Sequence, residues 1–350
     1  MKTRQIIIRT MCLLMMVSAI TGGILLPHQP DGEAKAQLPA EVVLAPAAQL
    51  NRVAVDQPAQ GLFRYLVNDR PELFVGMGYN PIYRYLADKD RAARYDRDFA
   101  ILRQAGVNHI TGWDADKGFE QDKFDELTLG QALKHGLGVV MPFYLPPEGD
   151  YADETFQRHL MEQAATKIAR FKDHPALRMW GVGNEVLSEM SWPEERDAFL
   201  EFYVKLADRF HQLDPSHPVI YREAEDVFVP AILSTWGSPQ ERPWLLYGMN
   251  SYTLAIGRLI DAWPLRSAGR PLFVTEFGLE DQGSRRRADG YLRMWQAIRS
   301  RPTYVLGGAP YVWTTQGPEP TDTIWGLMDD HSRPVDDTFE RLSAEWRRQR

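Results

Sequence analysis

Eight short apolar segments alternate with amphipathic segments along most of the chain, and this alternation limits the folds that the chain can adopt. The apolar segments have the length of buried strands, whereas the amphipathic segments repeat apolar residues at three- and four-residue spacing, which is typical of helices. The predicted strands lie at residues 73–80, 108–113, 137–144, 178–185, 218–224, 245–252, 271–278 and 309–315. The clearest predicted helices lie at residues 95–106, 154–171, 193–213, 286–300 and 337–348. Such a strand–helix repeat indicates a parallel sheet covered by helices.

The number of strands favours a closed barrel over an open sheet. Eight strand–helix units are the number that forms a (β/α)₈ TIM barrel. The alternative is an open, doubly wound sheet, which usually has a glycine-rich phosphate-binding turn after its first strand. The sequence GMGYNP at residues 76–81 does not have the required G-x-G-x-x-G spacing. We therefore predict a single α/β domain with the TIM-barrel fold over residues 62–350, beginning with a hairpin at residues 62–80.

The first 61 residues are predicted to lie outside this barrel. Three basic residues precede an uncharged stretch at residues 11–26, and a small-x-small cleavage motif follows, with its cut after Ala36. This arrangement is typical of an export signal, and the alternatives are cleavage after Ala19 and retention as an N-terminal anchor. We predict that residues 1–36 are a signal peptide or anchor, and that residues 37–61, rich in Ala, Pro and Gln, are a linker. The protein is then expected to be exported, and to be periplasmic or secreted.

Charge and cysteine content narrow the classes of partner and chemistry. The chain has 47 acidic and 40 basic residues, and its net charge of −7 disfavours binding to nucleic acid or to anionic membranes. The single cysteine, Cys12, lies in the predicted signal, so we expect neither a disulfide nor a cysteine nucleophile in the barrel. The eight histidines show neither H-x-x-x-H nor H-E-x-x-H spacing. We therefore predict no metal, no cofactor and no protein partner, and expect a neutral substrate.

Functional groups of TIM barrels lie at the C-terminal ends of the strands, and the predicted strand ends here carry carboxyl, amide and aromatic groups. These residues are Tyr79, Asn80, Trp113, Asp114, Tyr144, Asn184, Glu185, Arg222, Glu223, Asn250, Tyr252, Glu276 and Trp313. Such a rim suits a ligand with many hydroxyl groups and no charge, as a sugar is. Trp313 would offer a stacking face for the sugar ring.

Two of these strand ends carry the pair of carboxyl groups that glycoside hydrolysis requires. Glu185 and Glu276 end strands that are three apart in the predicted barrel, so their side chains are expected to meet across its mouth at about 5 Å, the separation found in retaining enzymes. Different environments would keep one protonated and the other ionised. Asn184 is predicted to bind the 2-hydroxyl of the sugar, and Tyr252 is predicted to hold the nucleophile.

The motifs around these two glutamates resemble those of the clan A (4/7 superfamily) retaining glycoside hydrolases, which include families 2 and 5. The resemblance lies in GVGNEV at residues 181–186, in VTEFG at residues 274–278, and in a tryptophan that ends the last predicted strand. It extends over the chain from about Leu62, and the closing segment at residues 324–342 is similar to that of the family 2 barrel. The resemblance implies that Glu185 is the acid/base, that Glu276 is the nucleophile, and that Asn184 binds the hydroxyl group on the nucleophile side.

Two positions depart from the pattern of these families. Thr111 stands where many relatives have an arginine at the end of the second strand. Asn250 begins the sequence NSY, where family 5 enzymes usually have His-x-Tyr. These departures leave the family within the clan, and with it the substrate, open.

Several residues have a structural interpretation beside the functional one. Trp180 is an even number of residues from Asn184, so the two are predicted to share a face of the strand, with Trp180 in the core. The carboxylates around Glu223 favour a solvated loop, with a sugar subsite at Glu223 as the alternative. His109 is predicted to be an ordinary strand residue.

The leading hypothesis is an exported retaining β-glycosidase that acts on β-linked glucan or mannan-type oligo- or polysaccharides. A β-glucan transglycosylase using the same glutamate pair is an alternative, and so is a non-catalytic carbohydrate-binding barrel. A lyase or aldolase barrel would require a Schiff-base lysine or a metal cluster at a strand end, and the sequence places none there.

Overall fold

The structure of the protein is a computed structural model, and it describes residues 52–80, 83, 86–112, 121–190, 192, 194–279, 285–314 and 325–348. The predicted signal peptide or anchor lies outside the described residues, and so does most of the predicted linker. Across the described ranges, no helix is both long enough and apolar enough to cross a membrane.

A small antiparallel sheet precedes the barrel. Its strands are β1 (Val53–Ala59), β2 (Leu62–Val67) and β3 (Arg70–Glu72), in the order β1-β2-β3. Asn68 and Asp69 join β2 to β3 with φ angles of 52° and 61°, the conformation of a two-residue hairpin turn that Asn and Asp tolerate. The predicted hairpin is therefore present. The prediction that the linker extends to residue 61 is wrong, because residues 53–59 are a strand paired with β2.

Eight parallel strands then close into a barrel, as the sequence predicts. They are β4 (Phe74–Gly78), β5 (His109–Thr111), β6 (Gly138–Phe143), β7 (Leu177–Asn184), β8 (Val219–Ala224), β9 (Leu245–Ser251), β10 (Leu272–Phe277) and β11 (Val305–Pro310). Their order around the barrel is β10-β11-β4-β5-β6-β7-β8-β9. Each strand therefore pairs with its neighbours in the chain, and β11 pairs with β4 to close the barrel. The fold is a (β/α)₈ TIM barrel.

Helices cover the outside of the barrel, and one helix of a single turn directly follows the end of β7. They are α1 (Asp88–Ala105), α2 (Gln121–His135), α3 (Glu154–Phe171), α4 (Val186–Glu189), α5 (Glu195–Leu213), α6 (Val229–Trp236), α7 (Ile256–Arg266), α8 (Arg285–Arg299) and α9 (Thr338–Arg347). The side chain of Asp153 caps α3 by accepting hydrogen bonds from two backbone N–H groups, and Gly106 ends α1 with a φ of 106°. Apolar side chains between the strands and these helices form the larger of two cores.

The small sheet closes the end of the barrel at which the strands begin. Tyr65 is buried there, and its hydroxyl lies 2.8 Å from Nε2 of His109, at the start of β5. The ring of Tyr65 packs edge-on against Phe273, with 5.7 Å between ring centroids. His109 is thus a strand residue, as predicted, and burial holds its pKa well below the usual value. Side chains of the small sheet therefore fill this end of the barrel, and the opposite end, where the strands finish, is the one at which the sequence places its candidate residues.

The eighth barrel strand lies earlier in the chain than the sequence pattern suggests. It was predicted at residues 309–315, whereas β11 spans Val305–Pro310. Its sequence, VLGGAP, contains two glycines, so it lacks the apolar run that marks the other strands. The close approach of β4 requires one of them, because a Cβ on Gly307 would lie 1.9 Å from the carbonyl oxygen of Phe74. The strand therefore ends three residues before Trp313.

Candidate active site

Both strands that carry the predicted catalytic glutamates lose regular pairing just before the glutamate. The register of β7 against β8 shifts between Gly181 and Asn184. The register of β10 against β9 shifts between Phe273 and Glu276. Irregularities of this kind redirect side chains, and they are common beside active sites. Here they allow a side chain that follows a buried strand to turn into the mouth of the barrel.

Glu185 follows β7 in a left-handed conformation, with φ of 52° and ψ of 28°, and α4 begins directly after it. Gly183 has a φ of 75°, which breaks the alternation of side chains along the strand. Trp180 therefore faces α5, where its indole Nε1 donates to Asp214 at 2.8 Å. Asn184 instead points into the mouth. Trp180 is a core residue, as predicted, but the prediction that it shares a face with Asn184 is wrong.

Asn250, at the end of β9, connects the two sides of the site. Its amide Nδ2 donates to Glu185 Oε1 at 2.8 Å and to Asn184 Oδ1 at 3.1 Å. Its own Oδ1 accepts a 2.8 Å hydrogen bond from the hydroxyl of Thr275, and its backbone pairs with Glu276. The orientation of this amide is therefore fixed by β10, the strand that carries Glu276.

Glu276 lies in β10 and is almost completely buried, with 3% of its surface exposed. The hydroxyl of Tyr252 donates a hydrogen bond to Glu276 Oε2. Burial raises the pKa of Tyr252 well above its usual value, and the carboxylates of Glu276 and Glu185 both add to this rise. The phenol therefore stays protonated as a donor to Glu276. Both carboxylates thus lie close enough to this phenol to act on its pKa.

The environment of Glu185 favours its protonated form. Burial raises the pKa of this carboxyl group, and the nearby charge of Glu223 raises it further. The hydrogen bond from Asn250 and the charge of Arg222 oppose this rise. A carboxyl group with a raised pKa, beside a second carboxylate that receives a phenolic hydrogen bond, gives the division of roles that an acid and a nucleophile need.

Glu223, in β8, holds the turn that presents Glu185. Its carboxylate accepts hydrogen bonds from the backbone N–H of Leu187 at 3.0 Å, from Tyr221 OH at 2.6 Å and from the hydroxyl of Ser188. The side chain is completely buried, so the expectation of a solvated loop is wrong for Glu223. The sequence also marks Glu223 as a substrate-binding candidate, but the structure assigns it to fixing the first turn of α4.

Two of the aromatic groups near Glu276, Tyr311 and Trp325, are residues that the sequence did not single out. Tyr252 packs edge-on against Trp325 at 4.8 Å and against Tyr311 at 5.7 Å. Tyr311 follows β11 directly, and both Tyr311 and Trp325 are partly exposed. Trp313 has no exposed surface and packs against Phe339. The prediction that Trp313 stacks on the sugar is therefore wrong, because the strand ends earlier than predicted and presents Tyr311 instead.

Four other predicted rim residues lie in different surroundings. Tyr79 faces the helices, with 3% of its surface exposed, and its hydroxyl donates to Asp98 in α1 at 3.0 Å. Its prediction as a substrate-binding residue is wrong for this reason. Asn80 and Tyr144 are partly buried just beyond β4 and β6, at the mouth. Trp113 lies outside the described residues.

The negative charge around Glu185 extends to a further carboxylate. Partial burial, together with the charges of Glu185, Glu223 and Glu148, raises the pKa of Glu189, at the end of α4, to about 7.

Within the ranges that the structure describes, no group of three or more His, Cys, Asp or Glu side chains could hold a metal ion.

One charged residue of the site was assigned no role from the sequence. The sequence indicates only that Arg222 ends a strand, yet its side chain is buried inside the barrel and acts on Glu185. Its position on β8 gives no indication that it reaches across to β5. Its hydrogen bonds to Thr111 and Gly112 join residues more than 100 positions apart in the chain, and a single sequence gives no signal for such contacts.

The chain is similar to known glycosidases in sequence. Residues 132–304 match the family model described as glycosyl hydrolases family 2, TIM barrel domain. A β-glucuronidase of Bacteroides fragilis is 23% identical over 341 residues, covering 85% of this chain and 46% of that protein. A β-mannosidase of Bos taurus is 23% identical over 240 residues, covering 65% of this chain and 26% of that protein. The chain thus spans less than half the length of both relatives.

The fold is also found among solved structures. A family 2 β-galacturonidase from Eisenbergiella tayi, determined with bound galacturonate, superposes with a TM-score of 0.65 at 17% identity. The match covers 85% of this chain and 54% of that chain. At this identity the likeness establishes the barrel fold, in agreement with the family model.

Proposed function

Since this chain carries the TIM barrel of a family 2 glycoside hydrolase, we propose that it is a retaining β-glycosidase in which Glu185 and Glu276 perform the reaction. The observation that carries the proposal is the connection through Asn250. One residue pairs with Glu276 along the backbone and donates to the carboxyl group of Glu185. This connection supports a double displacement in which the two carboxyl groups act at one barrel mouth.

The first step transfers the sugar to the enzyme. Glu276 attacks the anomeric carbon and forms an ester with it, while the bond from that carbon to the leaving oxygen breaks. Glu185 gives its proton to the leaving oxygen. The raised pKa of Glu185 supports this role, because the group must still hold a proton at the working pH.

The second step releases the sugar. Glu185, now ionised, accepts a proton from water as the water oxygen attacks the anomeric carbon, and the bond to Glu276 breaks. The hydrogen bond from Asn250 stabilises the ionised form of Glu185 at this stage. The phenol of Tyr252 donates to Glu276 and supports it as the leaving carboxylate.

The substrate is proposed to be a neutral β-linked sugar, of glucan or mannan type. The groups seen to hydrogen-bond to the two glutamates are an amide and a phenol, and Glu223 and Glu189 add negative charge around Glu185 that Arg222 offsets in part. That charge would repel the carboxylate of a uronic acid. Tyr252, Tyr311 and Trp325 supply aromatic surface against which a sugar ring can pack.

A comparison of variants on a substrate panel tests this proposal. Wild type, Glu185→Gln and Glu276→Gln are incubated with aryl β-glucoside, β-mannoside, β-galactoside and β-glucuronide, and with soluble β-glucans and mannans. We expect wild type to hydrolyse neutral β-glycosides and to retain the configuration of the anomeric carbon. The configuration of the first product is measured by NMR. Both variants should lose most of this activity. Glu72→Gln, in β3 at the closed end of the barrel, is the matched control and should remain active.

The other outcomes of this experiment are equally informative. Sugars that bind without turnover would favour a non-catalytic carbohydrate-binding barrel. Products longer than the substrate would favour transglycosylation by the same pair. Activity retained by Glu276→Gln would mean that another residue is the nucleophile.

Export is also part of the proposal, and it is supported by the sequence of residues 1–36. The full chain is expressed in a bacterium, and the protein recovered outside the cytoplasm is sequenced from its N-terminus. A mature N-terminus near Gln37 is the expected result. An unprocessed chain in the membrane fraction would indicate an anchor, and an unprocessed chain in the cytoplasm would contradict export.

A further inference from the structure

Arg222 is a cation buried inside the barrel, next to the proposed site. Its side chain projects from β8 and is 1% exposed. Its Nη1 donates to the carbonyl oxygen of Gly112 at 2.8 Å and lies 3.3 Å from the hydroxyl oxygen of Thr111, which accepts a hydrogen bond. These acceptors lie at the end of β5, which is three strands away around the barrel. The arginine therefore spans the interior and joins two opposite parts of the mouth.

The barrel interior is shaped to hold this side chain. Gly248 pairs directly with Arg222, and a Cβ on Gly248 would lie 3.1 Å from Arg222 Cγ and 2.5 Å from the hydroxyl of Thr275. A Cβ on Gly181, on the other neighbouring strand, would lie 3.5 Å from the guanidinium carbon. Larger residues at these two positions would crowd the arginine. The small neighbours leave the space that its guanidinium occupies.

The same arginine is connected to Glu185. The backbone N–H of Glu185 donates to the carbonyl oxygen of Arg222 at 2.9 Å. The positive charge of Arg222 favours the ionised form of Glu185 and lowers its pKa, whereas Glu223 and burial raise it. Arg222 thus acts on Glu185 by position and by charge.

We propose that Arg222 is a positioning residue of this site: its buried guanidinium fixes the end of β5 against the strands that carry Glu185 and supplies the positive charge that balances the carboxylates there. This inference rests on the proposed function. It also accounts for Thr111, because a threonine there leaves room for a guanidinium that arrives from β8. Arg222 does not touch the sugar in this arrangement, and it acts through Glu185 and the end of β5.

Other charged or titratable groups face Glu185 or Arg222 from the surrounding elements. They are Glu189 from α4, Tyr203 from α5, Glu223 from β8 itself, Tyr247 from β9, Tyr252 after β9, and Glu276 from β10. Each of them is unchanged in the variants below. A shift in the pH profile between those variants and wild type therefore reports on residue 222.

The test compares Arg222→Met and Arg222→Lys with wild type, using the pH dependence of kcat/KM on an aryl β-glycoside. Loss of the charge raises the pKa of Glu185, so the proton needed by the leaving group is retained to higher pH. We expect Arg222→Met to lower kcat/KM by about 10²-fold and to move the alkaline limb of the profile about one unit higher. Arg222→Lys keeps the charge, so its limb should stay near that of wild type.

Arg270→Met is the matched control. Arg270 is similarly buried, at 2% exposure, and it donates to the backbone carbonyls of Leu245 and Arg242 at the beginning of the strands. Its loss should lower the melting temperature and leave the alkaline limb in place. The proposal would be overturned if Arg222→Met lowered kcat/KM at every pH but left the alkaline limb of the profile where it is in wild type. That result would mean that Arg222 only supports the fold.

A second measurement separates this inference from the proposed function. The ¹³C shift of the Glu185 carboxyl group, assigned with Glu185→Gln, is titrated in wild type and in Arg222→Met. Its midpoint should rise in Arg222→Met whether or not any glycoside is hydrolysed, and an unchanged midpoint would overturn the inference. If Arg222→Met does not fold, Arg222→Gln and Thr111→Val replace it. The midpoint should then rise in the first and stay near that of wild type in the second, and any other pattern would overturn the inference.

Discussion

The amide of Asn250 donates a 2.8 Å hydrogen bond to the carboxyl group of Glu185, and the backbone of the same residue pairs with Glu276. One side chain thus determines where the proposed acid/base stands relative to the proposed nucleophile. Thr275 holds that amide from the other side, so Asn250 cannot rotate without losing a buried hydrogen bond.

Asn250→Ala should weaken the enzyme and move its pH profile. The hydrogen bond stabilises ionised Glu185, so its loss raises the pKa of that group, and the alkaline limb of kcat/KM should move to higher pH. We expect kcat/KM to fall by about 10²- to 10³-fold. Ser251→Ala, at the next position in β9, serves as the control and should leave the profile unchanged. A profile that is identical in Asn250→Ala and wild type would contradict the assigned role.

Tyr252→Phe removes the hydrogen bond to Glu276 and keeps the aromatic ring. We expect kcat on an aryl glycoside to fall by about 10- to 100-fold, because the carboxylate loses a donor that supports it as nucleophile and leaving group. Tyr247→Phe removes another buried phenol, one that donates to the backbone at Glu225 at 2.9 Å. Steady-state kinetics of both variants provide the check, and equal losses would show that the effect of Tyr252 is not specific to Glu276.

Trp325 and Trp313 should respond differently to truncation. Trp325→Ala removes a partly exposed ring that packs on Tyr252, so we expect a higher KM for oligosaccharides and a small change in melting temperature. Trp313→Ala removes a ring with no exposed surface and should lower the free energy of unfolding by about 3–5 kcal/mol. Substrate titrations and thermal unfolding of both variants test this contrast. The reverse pattern would restore Trp313 as the sugar platform.

Glu223→Gln should loosen the turn that presents Glu185. The carboxylate accepts from the backbone of Leu187 and from two hydroxyl groups, and an amide cannot accept at both of its ends. We expect a loss of about 1–3 kcal/mol in unfolding free energy, together with a lower kcat. Glu225→Gln, in the loop that follows, is the control. Denaturant unfolding and turnover are measured on both variants. A stable, fully active Glu223→Gln variant would argue against the role of Glu223 in fixing this turn.

Glu189 should make stability depend on pH. Its pKa in the folded protein is about 7, above the usual value of 4.5, so the folded state binds the proton more tightly than the unfolded state. Its contribution to stability is therefore present below about pH 4.5 and is lost as the pH rises to about 7. The difference in melting temperature between pH 5 and pH 8 should shrink in Glu189→Gln. Glu201→Gln, on the exposed side of α5, should retain the wild-type difference.

Much of the fold is predictable from the sequence because apolar strands and amphipathic helices have different periods. Seven of the eight barrel strands lie within a few residues of their predicted bounds, and the hairpin at Asn68 and Asp69 follows from its turn residues. The eighth strand was misplaced because glycines required by the approach of β4 remove the apolar signal. The sequence pattern therefore predicts Trp313 at the strand end, where the structure has Tyr311.

The site was harder to predict than the barrel. The strand ends indicate where Glu185 and Glu276 stand. The left-handed backbone at Gly183 and Glu185, however, interrupts the alternation of side chains along β7, so Trp180 and Asn184 face different sides of the strand. The role of Arg222 depends on contacts between residues 110 positions apart in the chain. Local patterns carry no information about such contacts.

The irregular pairing of β7 and β10 just before each glutamate has a consequence for engineering this protein. In each of these two strands one irregular step separates the last paired residues from the regularly paired layers below them. We therefore expect that changes to the packing around Tyr65 and Phe273, at the other end of the barrel, alter its thermal stability more than the positions of Glu185 and Glu276. Thermal stability and catalytic rate are then expected to be separate targets for directed evolution of this barrel.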